Sequence, residues 1–213
     1  MKTAIVAMSV LAVTANCQQS APAAKPHQGQ SHCLVEGAHW LDGGDRIEAT
    51  EALSPRDRST LIDAISVQPR PGTKIGDATL EKDLLDAVKE TRVKLIDLNG
   101  DGIPEVIAQA SGNEFCSPTG NCEIWVFMRS GRRYRLILQG NSIQTYRICA
   151  TRSGGLNDLV LGRHGSASES DLFVYRFANG TYHKTACYDA NWVSMVGDER
   201  HELKRAIITP CSR

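Results

Sequence analysis

Val93-Lys94-Leu95-Ile96-Asp97-Leu98-Asn99-Gly100-Asp101-Gly102-Ile103-Pro104-Glu105-Val106-Ile107-Ala108 places two apolar runs on either side of a loop rich in side-chain oxygens and glycine. Both runs have the β-branched and aliphatic content of strands, and the Asn-Gly and Asp-Gly pairs between them form turns. The segment reads as strand, tight connection, strand. The same grammar continues downstream in EVIAQA, EIWVFM, YRLIL, SIQTYRICA, DLVLG, DLFVYRF and TYHKTACY, each bounded by Gly, Asn or Asp. Upstream, two helices are signalled. Ser54-Pro55 is an N-cap followed by proline at the first helical position, with Leu61, Ile62 and Ile65 at helical spacing and Pro69 and Pro71 as stops. Thr79 opens the second, with Leu80, Leu84, Leu85 and Val88 on one face. The expected class is α+β: a β-rich antiparallel sheet or small sandwich with two N-terminal helices, stapled by disulfides.

A weak internal repeat runs through the β part. Glu105-Val106-Ile107-Ala108 parallels Asp158-Leu159-Val160-Leu161, and Ile124-Trp125-Val126-Phe127 parallels Leu172-Phe173-Val174-Tyr175. Tyr134-Arg135 then parallels Tyr182-His183. The offset of about fifty residues is that of a four-stranded sheet unit. Two copies cannot close a propeller, so one sheet or a small sandwich is expected.

The loop at 97–105 follows the pattern D-x-N-x-D-G-x-x-E. Oxygens at alternate positions, Asp97, Asn99 and Asp101, are spaced to converge on one hard cation, and Gly102 permits the sharp turn. The Ile103 carbonyl comes next, then Glu105 directly or through water. Calcium accepts six to eight such oxygens, and magnesium wants a tighter octahedron. An EF-hand is disfavoured, because Ala108 stands where its bidentate Glu belongs and the flanks are strands. The bland alternative is a turn in which the glycines supply only positive φ.

This stretch resembles the calcium loops of FG-GAP and VCBS repeats, in which D-x-[DN]-x-D-G-x-x-[DE] sits in a strand-to-strand connection. That resemblance implies calcium on Asp97, Asn99, Asp101 and Glu105. A looser likeness is to uncharacterised bacterial exported proteins that join such a loop to a paired-cysteine hairpin. One departure is that only one full loop is present. Its counterpart, Ser153-Gly154-Gly155-Leu156-Asn157, has no Asp triad.

The 213 residues carry 24 basic and 24 acidic side chains, so no basic excess is available for nucleic acid. Met1-Lys2 and the apolar run Ala4 to Ala15 have the length of a signal-peptide h-region, too short for a membrane span. Two processing readings stand side by side: cleavage after Val13-Thr14-Ala15, or lipidation of Cys17. In the lipidated form that anchor is the chain's link to a membrane. The expected organisation is a signal peptide at 1–17, a flexible linker at 18–32 and a β-rich domain at 33–213. Such a chain would be exported, to the periplasm, an outer-membrane tether or the exterior. Beyond Cys17 the cysteines are Cys33, Cys116, Cys122, Cys149, Cys187 and Cys211, an even set that reads as a disulfide framework. Cys116 and Cys122 would staple a turn, Cys149 and Cys187 sit in strand-like runs, and Cys33 with Cys211 would tie the two ends. The cluster of His27, His32, Cys33 and His39 reads as part of a solvated tail.

Leu159-Val160-Leu161-Gly162-Arg163-His164-Gly165 resembles the strand-RHG opening of histidine phosphatases, which would make His164 a nucleophile and Arg163 a phosphate holder. Its late position and β surroundings argue for a plain turn. The Ser166, Ser168 and Ser170 run reads as a polar loop. Trp40, Trp125 and Trp192 are candidates for a ligand groove or, more commonly, for core. No G-x-S-x-G, H-E-x-x-H or P-loop occurs. The functional expectation is an exported, calcium-binding, non-catalytic protein with an envelope or extracellular partner. A secreted hydrolase around Arg163-His164 and an inhibitor of an extracytoplasmic enzyme stand as alternatives.

Overall fold

Side chains along the central strands alternate strictly between two apolar layers, which fixes the architecture. The computed structural model describes residues 33–34, 39–40, 44–68, 78–112 and 114–211. The apolar run 4–15, Cys17, the stretch 18–32, Pro69 and Pro71 lie outside the described residues. The elements are β1 (His39–Trp40), β2 (Asp45–Arg46), α1 (Pro55–Ser66), α2 (Ala78–Lys89), β3 (Arg92–Ile96), β4 (Glu105–Gln109) and β5 (Cys122–Ser130). They continue with β6 (Arg133–Ile143), β7 (Thr145–Ser153), β8 (Leu156–Ser166), β9 (Glu169–Ala178), β10 (Thr181–Val196) and β11 (Glu199–Pro210). One sheet has the order β2-β3-β4-β5-β6 and the other β1-β7-β8-β9-β10-β11. Every strand pairing is antiparallel.

Between the sheets lies one layer of core, with Ile107, Ile124, Val126 and Ile137 meeting Tyr146, Leu159, Leu161 and Phe173. The neighbours Val106, Ala108, Trp125 and Phe127 point the other way, onto Leu61 and Ile65 of α1 and Ala87 and Val88 of α2. That period of two is what a strand buried on both faces requires. A third layer, on the far face of the six-stranded sheet, brings Cys33 and Leu34 onto Cys149, Val160, Leu172, Val174 and Ala190. The α+β class expected from the sequence is observed, and of the two arrangements left open, one sheet or a small sandwich, the strands form the sandwich.

Helix α1 begins as its sequence dictates. The Ser54 hydroxyl accepts from the Asp57 N–H at 3.1 Å, and Pro55 takes the first turn. In α2 the apolar face differs slightly from expectation. Val88 and Ala87 are buried and Leu84 half-buried, whereas Leu85 is 41% exposed. Leu85 stands about 100° around the helix from Leu84, off the sheet-facing stripe.

The internal repeat has a structural counterpart. β3 to β6 and β7 to β10 are each a four-stranded antiparallel meander. The matched residues fall on β4 and β8, on β5 and β9, and on β6 and β10.

Among the described residues three disulfides staple the fold: Cys33–Cys149, Cys116–Cys122 and Cys187–Cys211. The turn staple is as expected, but the expected Cys33–Cys211 tie is not formed. The β10–β11 hairpin runs Cys211 back alongside Cys187, whose carbonyl accepts from the Cys211 N–H at 3.1 Å. Cys33 instead crosses the outer face of the six-stranded sheet to β7. Strand β11 lies beyond what the sequence pattern signals, because its exposed residues are charged and its apolar positions few.

Candidate functional site

The 97–105 loop joins β3 to β4 directly across the Ile96–Glu105 pair. Gly100 and Gly102 adopt φ of +79° and +82°, which only glycine takes without strain. This lets the chain fold over Asp97, whose Oδ1 accepts from Gly100 N–H at 2.6 Å and whose Oδ2 accepts from Gly102 N–H at 2.9 Å. The Gly102 N–H, above all, holds the Asp97 carboxyl below the ordinary carboxylate range. Asn99 Oδ1 accepts from Asp101 N–H at 2.9 Å, and Asn99 Nδ2 donates to Asp101 Oδ2 at 2.8 Å. Asp101 Oδ1 accepts from Ile103 N–H at 2.7 Å.

Glu105 behaves differently. It is 2% exposed, and its Oε2 accepts from the Leu98 N–H at 2.8 Å, beneath the loop rather than on its rim. Burial, followed by the nearby charges of Asp101 and Asp97, pushes its carboxyl upward, against the lowering effect of Leu98 N–H. Asp97, Asn99 and Asp101 are thus gathered around one turn, with Glu105 folded inward. Among the described residues, Asp97, Asp101 and Glu105 do not form a group with carboxylate oxygens all within 4.8 Å of one another. Each carboxylate is satisfied by backbone N–H groups instead.

A second loop supports the first. Arg152 Nη1, at the end of β7, donates to the Asn99 carbonyl at 2.9 Å, and Asn157 N–H donates to the Leu98 carbonyl. Tyr182 donates its hydroxyl to the Asn157 carbonyl at 2.7 Å. Burial, and then the charges of Glu105 and Asp158, push that phenol well above its ordinary range. Asp158, 3% exposed, accepts from Thr151 Oγ1 at 2.7 Å.

The residues of the phosphatase-like string are placed on the β8–β9 hairpin. Arg163 is taken by Asp171, with Nε on Oδ2 at 2.7 Å, and lies over the Phe173 ring at 5.6 Å. The backbone of His164 is held from both sides by the Asn121 amide, at 2.8 and 2.9 Å. His183 sets Nε2 on the Ala178 carbonyl and His201 lies against Glu199, so neither reaches His164's surroundings. Beside His164 is a cavity of about 320 Å³ that Trp192 and Arg147 also line. Trp125, by contrast, is fully buried against Phe115 as core.

Sequence reasoning missed Arg147, which is 5% exposed. It missed, too, an open recess of about 600 Å³ lined by Glu48, Asp83, Asp86, Glu90 and Glu114. There Arg46 pairs with Glu90 and Lys89 with Asp86. The cluster of Cys187, Asp189 and Cys211 has the spacing of metal ligands, but its two sulfurs are joined in a disulfide. In comparison with known proteins, no family model, no curated protein and no solved structure matches this chain.

Proposed function

We propose that the chain is an exported, non-catalytic binding protein whose 97–105 loop takes up a calcium ion. The observation that carries this reading is the gathering of Asp97, Asn99 and Asp101 around the Gly100–Gly102 turn, at the mouth of a strand-to-strand connection. The donor set suits a hard cation: three carboxylates, an amide oxygen and the exposed Ile103 carrying the next carbonyl. Asp97, held readily ionised, is the natural first ligand. Because Glu105 faces Leu98 N–H, its contribution comes through water, or after its carboxylate leaves that N–H. The ion's work is structural, offsetting the mutual repulsion of the loop's carboxylates and so ordering the connection.

Three disulfides fit a non-cytoplasmic, oxidising environment. Export by the N-terminal apolar run, to the periplasm or the exterior and with Cys17 as a lipid attachment point, is the finer form of that reading. The partner is an envelope or extracellular molecule.

A thermal melt of the oxidised protein, in EGTA and in millimolar calcium, tests the ion. Binding to the native state adds about 2.7 kcal/mol at a hundredfold excess over Kd. For a chain this size that is a rise of roughly 5–10 °C. The Asp97→Ala, Asp101→Ala double variant should show none of this rise. If wild type fails to shift, the loop is only a turn.

A further inference from the structure

Arg147 sits in β7 opposite Val160 and points away from the inter-sheet core that its neighbour Tyr146 fills. Its guanidinium is buried, and Nε and Nη1 have no hydrogen-bond partner. A charge removed from water without a partner costs several kcal/mol, so folded proteins almost always pair it. Arg147 is instead a wall of the 320 Å³ cavity, and among the described residues no Asp or Glu lines that space. The other guanidinium there, Arg163, is already neutralised by Asp171.

The remaining walls are of two kinds. Leu172, Ala190 and Trp192 bring apolar surface. Thr145, Ser166 and Ser170 bring hydroxyl groups to the same lining. Room for Thr145 depends on Gly162: a Cβ there would collide with Thr145 Oγ1. A buried charge without a partner, a polar neighbour and an apolar floor make up the usual ingredients of a small-ligand site, at the small end of the size range.

We propose that this cavity binds a small monocarboxylate with an apolar body, its carboxylate on Arg147 and its hydrocarbon against Leu172, Ala190 and Trp192. The charge count selects the ligand class. One uncompensated guanidinium matches one carboxylate, whereas a phosphate dianion brings two charges to a cavity whose other guanidinium is already held by Asp171. The size selects a small acid rather than a peptide or a sugar chain. This site is walled by β7, β8, β9 and β10, is independent of the calcium loop, and stands or falls separately from it.

The test uses the oxidised protein with benzoate and butyrate as probes and benzyl alcohol and inorganic phosphate as controls, followed by calorimetric titration and Trp192 fluorescence. Saturable binding of benzoate or butyrate, with quenching lost in Trp192→Phe, is the expected result. Arg147→Met should weaken that binding roughly tenfold or more, as befits loss of a charge-assisted contact. Benzyl alcohol should bind equally poorly to both forms. The same variant should melt at or above the wild-type temperature, because it removes a buried charge that has no protein partner. Three results would overturn the proposal: no saturable binding of either acid, binding unchanged by Arg147→Met, or phosphate bound in preference to both acids. A marked loss of stability in Arg147→Met would overturn it as well, since the guanidinium would then have a structural role.

Discussion

The N–H of Asn157 donates to the carbonyl of Leu98 at 2.8 Å, joining the start of β8, beside the β7–β8 turn, to the β3–β4 loop. These are equivalent connections in the two meanders, so the repeat units meet loop to loop at this point. Glu105 and Asp158, which correspond in the repeat, are both buried carboxylates beneath that junction. One half carries the oxygen-rich loop, while the other supplies Arg152 and Asn157 to brace it. The candidate ion site is thus a product of both halves, although its pattern lies in only one.

Tyr182 closes this junction by donating to the Asn157 carbonyl from a buried position. Removing the hydroxyl in Tyr182→Phe leaves that carbonyl without its donor while keeping the ring contact with Phe177. A loss of about 1 kcal/mol is expected. Differential scanning calorimetry should register it as a fall of roughly 2–4 °C.

Glu105 gives stability a pH dependence of definite sign. Its folded carboxyl is raised above the ordinary 4.5, so the folded state holds the proton more tightly than the unfolded chain. Its contribution is therefore most favourable below 4.5 and declines as pH rises through the folded pKa. Asp97 works in the opposite sense, stabilising above 3.8 and losing that contribution as pH falls. Urea unfolding at several pH values should show the decline above 4.5 in wild type and a flatter profile in Glu105→Gln.

The disulfides should differ in worth according to the loops they close. Cys33–Cys149 spans 116 residues and Cys116–Cys122 only 6. In the chain-entropy relation these correspond to about 5 and about 2 kcal/mol. Paired Cys→Ala variants compared by urea midpoint should rank in that order. A reversed ranking would mean that the short staple holds native geometry rather than restraining the unfolded chain.

Much of this architecture is legible in the sequence because the pattern is local. Val106 and Ile107, or Trp125 and Val126, announce strands buried on both faces, and Ser54-Pro55 announces a helix start. The loop at 97–105 is legible for the same reason, its residues being consecutive. Arg147 is not. An arginine between Tyr146 and Ile148 reads as a solvent-facing strand position, and its burial is set by β8, β9 and β10 packing beside it. The partner of Cys33 is hidden too, because spacing along the chain says nothing of which strand lies beneath it. The inward turn of Glu105 escapes a motif, which counts oxygens without saying where each one faces.

The six-stranded sheet ends unequally. At one margin the described residues of β1 are His39 and Trp40 alone, and at the other β11 exposes Glu199, Arg200, Glu202, Lys204 and Arg205. A margin dense with charged side chains must strip water from them before it pairs with another strand. Fibrillar growth by docking one sheet onto the next is thereby discouraged.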